Sequence, residues 1–360
     1  MKDNNQQARL GENAKDGLTR RHFLKSSSLG AVTMAASVSH IYQAQAAETS
    51  NINPDQPTTE LKKMNNKAKI TLVQLTDNDN PDDAVKRMST YFQQAAEYGS
   101  DLIVFPEYIL GRKIPITHRT VQKFYDMARQ HKIYAIAGLI ENHGKKWATT
   151  ALMVDRAGNL LGRYLKCHPA CGPYPYFWPP VDGNDMEARS VLGNQFKVFH
   201  LDFGPVGILQ CYDGYFPEAW GCISYSGAEI VLWINGRPGM VEDSYCIMPS
   251  RCYGCVVGAT ISNGKNTGFA AAQELGWLEA PGEPEESRLF PRIKKPGDAC
   301  VHATVNLDNL RKTRKHLRTM HQRRPDLYGL LTQDVKMWQD YPDIPWNRPE
   351  APERVNKAQL

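Results

Sequence analysis

A chain of 360 residues that is 41% hydrophobic can bury a full core, as one large domain or as two. Its formal charge of +5 lies mostly in the first 46 residues, which carry six Lys/Arg against three Asp/Glu. The rest is nearly neutral, which gives no electrostatic case for a nucleic-acid partner, and no apolar run reaches the roughly 18 residues of a membrane span.

The chain opens on the three parts of a leader, in order. Thr19-Arg20-Arg21-His22-Phe23-Leu24-Lys25 matches a twin-arginine export signal, Ser26 to Val38 is mildly apolar, and Ala44-Gln45-Ala46 is a small-x-small cleavage site. The expectation is a twin-arginine signal peptide over residues 1–46, removed on export to the periplasm or another extracytoplasmic space. Residues 47–67, polar with two prolines, read as a flexible spacer. A main domain is expected over 68–310 and a C-terminal extension over 311–360.

Within the main domain Lys69 to Leu75 reads as a strand. Asn80-Pro81 then starts a helix whose apolar residues Val85, Met88, Phe92 and Ala95 share one face, and Gly99 ends it. Leu102 to Phe105 is a strand, Val121, Phe124 and Ala128 mark a second helix, and Ile133 to Ile140 is a strand. Asp155-Arg156-Ala157-Gly158-Asn159 turns a hairpin between Trp147–Val154 and Leu160–Leu165. Phe196–Leu201 and Val206–Gln210 pair across Gly204-Pro205. A helix from Pro217 to Ser226, a strand at Ile230–Ile234 and a helix at Asp243–Arg251 follow. Strands at Val256–Ile261, Gly268–Ala272 and Val301–Leu307 complete the domain. This alternation predicts an α/β class, with two mixed sheets packed face to face and helices outside.

Three of these strands end in groups with chemistry. Asp101-Leu102-Ile103-Val104-Phe105-Pro106-Glu107 places a carboxylate against apolar walls, where burial raises its pKa and suits it to proton transfer. Gly162-Arg163-Tyr164-Leu165-Lys166-Cys167-His168-Pro169 ends a strand on a lysine. Gly207-Ile208-Leu209-Gln210-Cys211-Tyr212-Asp213-Gly214-Tyr215-Phe216-Pro217-Glu218 puts a thiol between a strand, a turn and a helix start, beside free backbone N–H groups. Each alone reads as a core cysteine or a surface charge; the three together do not.

Phe-Pro-Glu after a strand, Tyr-x-Lys-x-His, and Cys-Tyr-Asp followed by Phe-Pro-Glu resemble the nitrilase superfamily of carbon–nitrogen hydrolases. The order Glu107, Lys166, Cys211 is that family's, and the resemblance covers residues 68 to about 310. It implies a four-layer α-β-β-α sandwich and a thiol hydrolase that cleaves a non-peptide carbon–nitrogen bond through a Cys211 thioester. It implies Glu107 as general base and Lys166 as oxyanion donor, together with the Tyr212 backbone N–H, and no metal or organic cofactor. It also implies a second glutamate that orients the site, for which Glu187 and Glu141 are the candidates.

The residues after Cys211 look like those of aliphatic amidases, so an amide is the expected small-molecule substrate. Arg323-Arg324-Pro325-Asp326-Leu327-Tyr328-Gly329 looks like the ending of carbamoyl-hydrolysing members, which keeps an N-carbamoyl amino acid open, as the fold keeps a nitrile. Arg237, just past a strand, is placed to meet a substrate carboxylate. The loop rich in Tyr174, Tyr176, Phe177 and Trp178 is expected to form part of the rim, or a subunit contact. A non-catalytic small-molecule binding protein on the same fold is the reading of another class; the presence of all three reactive residue types argues against it.

Eight cysteines in a chain this long are too few for a disulfide scaffold. Cys167 and Cys171 bracket a Pro/Gly loop and are placed to pair, while Cys246 and Cys252 read as core. The segment from Arg311 to Arg324 holds seven Lys/Arg and is expected to be a solvated basic helix or a contact in a homo-oligomer.

Overall fold

The computed structural model describes residues 66–170, 187, 190–280 and 290–332. The expected leader, the spacer up to residue 65, Cys171, Trp178 with its aromatic neighbours, and the tail beyond Thr332 lie outside the described residues.

Strand β1 (Lys67–Gln74) leads into helix α1 (Pro81–Tyr98). Asn80 caps this helix by accepting the Asp83 N–H, proline fits the first turn, and Gly99 ends it in the left-handed region at φ 73°. Strands β2 (Leu102–Val104) and β3 (Arg112–Ile114) precede helix α2 (Arg119–His131) and the long strand β4 (Tyr134–His143). The hairpin β5 (Lys146–Val154) and β6 (Leu160–Leu165) follows, then β7 (Val198–His200) and β8 (Pro205–Gln210). After a 3₁₀ turn come helix α3 (Pro217–Tyr225), β9 (Ile230–Asn235), β10 (Gly239–Met240), helix α4 (Asp243–Tyr253) and β11 (Val256–Ile261). Short strands β12 (Gly264–Lys265), β13 (Gly268–Ala270) and β14 (Leu278–Glu279) lead to β15 (Ala299–Asn306), helix α5 (Leu307–Arg314) and the single turn α6 (Arg318–His321).

The first sheet runs β14-β15-β1-β2-β4-β5-β6, with β3 beside β4. The second runs β13-β11-β9-β8-β7. Both are mixed: β1, β2 and β4 run parallel to one another while β15, β5 and β6 pair antiparallel, and β8, β9 and β11 run parallel while β7 and β13 pair antiparallel.

Strand alternation sorts the first sheet's side chains between two apolar layers. Ile70, Leu72, Leu102, Val104, Ala151 and Met153 join the core that also holds the second sheet. Val73, Ile103, Leu152 and Val154 face the other way, onto Phe92 and Phe124 of α1 and α2. The sheets approach closely at Gly258, where a Cβ would come within 2.9 Å of Leu232 and 3.2 Å of Leu72. Ile223 of α3 packs against Gly207 of the second sheet, and Trp220 of α3 with Leu307 and Leu310 of α5 joins the same core. The result is the expected sandwich of two mixed sheets between helices.

Three readings change. The last long strand stops at Asn306, whose side chain caps a helix beginning at Leu307, so helix starts earlier than the basic run suggests. That run is not one solvated helix: α5 ends at Arg314, and its arginines are bound inward. Arg311 pairs with Glu229 at 2.8 Å, and Arg314 donates to the carbonyls of Ala228 and Ser224. Cys246 is buried as expected, but Cys252 is exposed, because it falls on the outer side of α4. Cys167 is a free thiol whose Sγ lies 3.5 Å from the Gln195 carbonyl oxygen. No helix of the described residues is long and apolar enough to cross a membrane.

Candidate active site

The parallel strands β2 and β4 carry the chain to Glu107. The Phe105 N–H still bonds the Ile136 carbonyl at 2.8 Å, and Glu107 follows Pro106 into a fully buried position. One carboxylate oxygen, Oε2, accepts the backbone N–H of Gly236 at 3.0 Å. Gly236 follows β9, so this bond crosses between the two sheets. A Cβ there would lie 2.4 Å from the Tyr108 ring and 3.0 Å from Glu107 Oε2, so only glycine allows the approach. The other oxygen, Oε1, lies 3.3 Å from Lys166 Nζ and accepts no hydrogen bond among the described residues.

Lys166 follows β6 directly and is still held by strand-like bonding. Its N–H donates to Thr149 O and its carbonyl accepts from Gly193 N, both at 2.9 Å. Its ammonium, 2% exposed, donates to Glu187 Oε1 at 2.8 Å. Glu187 also accepts the Tyr108 hydroxyl and the Ala170 N–H. Of the two glutamates offered by sequence, Glu187 therefore joins the cluster and Glu141 does not. Glu141 lies on β4 and is occupied by Arg163, by the Thr150 hydroxyl at 2.9 Å and by His143 at 3.4 Å.

Cys211 opens a 3₁₀ turn, Cys211–Tyr215, between β8 and α3. Its φ of 43° is a left-handed value for a residue with a side chain, a strain of about 1–3 kcal/mol that the surroundings must hold. Trp233 Nε1 donates to its carbonyl at 2.7 Å, and the Asp213 carboxylate accepts the Gln210 N–H just before it. The thiol is buried and senses the charges of Lys166, Glu107, Glu187 and Arg237.

These neighbours set the proton affinities. Burial raises Glu107 to about 7; the Lys166 charge opposes the rise and Glu187 adds to it. Burial alone would lower Lys166, but Glu107 and Glu187 outweigh it and hold the ammonium well above the usual lysine value. Burial pushes the Cys211 thiol up to about 12, against the pull of Lys166. The resting state at neutral pH is thus a protonated thiol, a charged lysine and a glutamate poised near its midpoint. Such a thiol is a nucleophile only if its proton leaves as the bond to carbon forms.

Arg237 is the residue after Gly236. Its guanidinium pairs with Glu242 and lies 5.8 Å from the Tyr215 ring centre and 6.0 Å from that of Trp233. Its Nε is buried without a hydrogen-bond partner among the described residues. Tyr212, partly buried, packs its ring edge-on against Phe216 at 5.3 Å. No group of three or more His, Cys, Asp or Glu that could hold a metal ion occurs among the described residues. Two participants escape sequence reasoning. Tyr108 directly follows Glu107 but carries no motif of its own, and Asp213 stands inside Cys-Tyr-Asp, where it reads only as a turn residue.

The chain is 26% identical over 288 residues to the citrullinase of Francisella tularensis subsp. tularensis, an alignment covering 72% of this chain and 96% of the relative. Among solved structures, a carbon-nitrogen hydrolase from Helicobacter pylori G27 superposes with a TM-score of 0.60 at 16% identity, covering 75% of this chain and 99% of that one. An amidase from Nesterenkonia sp. gives 0.53 at 18% identity, covering 70% and 95%. The family described as carbon-nitrogen hydrolase matches residues 69–249, a stretch that contains Glu107, Lys166 and Cys211. With that stretch spanning half of the sequence, the chain belongs to the carbon-nitrogen hydrolase family and is an enzyme of it.

Proposed function

We propose that the protein hydrolyses a small-molecule amide through a thioester on Cys211. The observation that carries this reading is Glu107: fully buried, raised to about 7, with one oxygen beside Lys166 and otherwise unbonded among the described residues. Such a carboxylate has both the basicity and the free lone pair to take a proton at neutral pH.

The Cys211 sulfur attacks the amide carbon while its proton passes to Glu107. The carbonyl oxygen becomes an oxyanion, met by the Lys166 ammonium and the Tyr212 backbone N–H; loss of one such donor costs about 3 kcal/mol in comparable sites. The carbon–nitrogen bond breaks, the nitrogen takes the proton from Glu107, and ammonia or an amine leaves. Glu107 then accepts a proton from water as the oxygen attacks the thioester. Collapse releases the acid, and the proton returns to sulfur. Glu187 keeps Lys166 charged and aimed throughout.

Ammonia release measured across amides, nitriles and N-carbamoyl amino acids tests the reading. A Cys211-dependent release from amides is expected; a chain that releases ammonia only from nitriles sinks the amide assignment. A ureido acid is the second reading. The Arg237 Nε, without a hydrogen-bond partner among the described residues, favours it, as does the similarity to a relative named citrullinase. It predicts that Arg237→Met raises KM for a carboxylate-bearing substrate at least tenfold and leaves a neutral amide unaffected.

Export by the twin-arginine route, with cleavage after Ala46, and a homo-oligomeric working form belong to the same proposal. Replacing Arg20 and Arg21 by lysine is expected to leave an uncleaved precursor inside the cell. Mature periplasmic protein that still starts at Met1 contradicts the leader reading. Light scattering of the mature chain checks the oligomer.

A further inference from the structure

Lys166 and Cys211 reach the site from different sheets. Lys166 leaves β6 of the first sheet, and Cys211 leaves β8 of the second. One side chain grips both exits. Asp213 is fully buried, and its carboxylate is surrounded by donors. Oδ1 accepts the backbone N–H groups of Cys167 at 3.1 Å and His168 at 2.9 Å, and lies 2.8 Å from His168 Nδ1. Oδ2 accepts the Tyr164 hydroxyl at 2.7 Å and the Gln210 N–H at 3.2 Å.

Tyr164, Cys167 and His168 flank Lys166 on its own strand exit, while Gln210 precedes Cys211. The contact is also reinforced by stacking. The His168 ring lies parallel to Phe216 with centres 3.9 Å apart, and Phe216 closes the turn that Cys211 opens. The same turn is anchored from behind by Trp233 on the Cys211 carbonyl and Trp220 on the Gly214 carbonyl. Those anchors belong to the second sheet and its helix. From the turn itself Asp213 carries hydrogen bonds across to the residues on both sides of Lys166, and the Gln210 side chain just before the turn adds bonds to the Thr149 and Tyr164 carbonyls at 3.0 and 3.2 Å.

We propose that Asp213 is a positioning residue for the reaction: its carboxylate clasps the Cys211 turn to the Lys166 strand exit and so sets where the thiol stands relative to the ammonium. It touches neither substrate nor reacting atoms. A buried carboxylate suits this task because each oxygen accepts several donors at once, whereas an amide must turn a donor toward at least one of them. The same bonds hold Cys211 in its left-handed conformation, which nothing in the side chain itself favours. This inference rests on the proposed roles of Cys211 and Lys166.

The test compares Asp213→Asn, Tyr164→Phe and Cys211→Ala in the mature chain, by ammonia release from an amide and by the pH profile of Cys211 alkylation with iodoacetamide. Asp213→Asn is expected to lower kcat by 30-fold or more with KM changed less than threefold, and to displace the alkylation profile. Tyr164→Phe, which removes one donor and leaves the carboxylate, is expected to lower kcat by three- to tenfold with the profile displaced in the same direction. If Asp213→Asn does not fold, the Tyr164→Phe profile decides, and an unchanged profile overturns the proposal. Wild-type kcat and an unchanged profile in folded Asp213→Asn, with Cys211→Ala inactive, also overturn it while leaving the thioester reading intact. Activity retained in Cys211→Ala removes the reading itself.

Discussion

Two buried glutamates of the first sheet, Glu107 and Glu141, meet cations in opposite ways. Glu141 has both oxygens committed, to Arg163, to Thr150 and to His143 close by. Burial would raise it, but those partners outweigh burial and its pKa falls below the usual carboxylate value. Glu107 shares one lysine with a second carboxylate, Glu187, and keeps an oxygen without a hydrogen bond. Its pKa rises to about 7. The sheet, the residue type and the burial are alike; the count of partners per oxygen differs. Full satisfaction makes a carboxylate a structural tie, and incomplete satisfaction next to a shared cation leaves it ready to move protons.

The widest separation between the two is expected on substitution by glutamine. Glu107→Gln removes the proposed proton acceptor and is expected to lower kcat by 10³-fold or more, about 4 kcal/mol, in a steady-state ammonia assay. Glu141→Gln is expected to stay within threefold of wild type in kcat. It loses stability instead, by about 1–3 kcal/mol in urea unfolding, because Arg163 keeps a weaker partner. A Glu141→Gln enzyme as inactive as Glu107→Gln would show that the two glutamates do not differ in role.

The next effect concerns the shared cation. Lys166→Met removes the proposed oxyanion donor and the charge that opposes protonation of Glu107. A loss of 10²- to 10³-fold in kcat is expected. Should that variant keep more than a tenth of wild-type kcat, the cluster is structural in the same sense as the Glu141 group.

A smaller effect is expected from acidity. Glu107 accepts a proton only as the carboxylate, and its folded pKa is raised, so the active form is lost as pH falls through about 7. The profile of kcat/KM should therefore decline by tenfold per pH unit well below that value. Glu141, with its lowered pKa, adds no limb in that range. A profile flat from pH 5 to 8 speaks against a glutamate poised near neutrality.

The sequence exposed the proposed trio of Glu107, Lys166 and Cys211 because each member closes a strand whose apolar run is easy to read. It also exposed the frame: α1 begins and ends where Asn80-Pro81 and Gly99 place it. What stayed hidden depends on partners distant in the chain. Nothing near Glu187 or Glu141 in sequence says which one reaches Lys166; the bonds that Tyr108, Lys166 and Ala170 make to Glu187 decide it. Asp213 looks like turn chemistry until Tyr164 and His168 come to it from another sheet. The short strands β3, β10, β12 and β14 carry too few residues to show a period of two. The break after α5 has no proline or glycine to announce it; Leu317 instead packs against the core beside Gly254.

The most direct test of the difference between the two glutamates is the rate of Cys211 alkylation by iodoacetamide from pH 5 to 9, followed by peptide mass. Wild type and Glu141→Gln are expected to show a rise in rate through about pH 7, set by the titration of Glu107. Glu107→Gln is expected to react slowly and to lack that rise. The same rise in Glu107→Gln would contradict the account, because the group that prepares the thiol would then be some other residue.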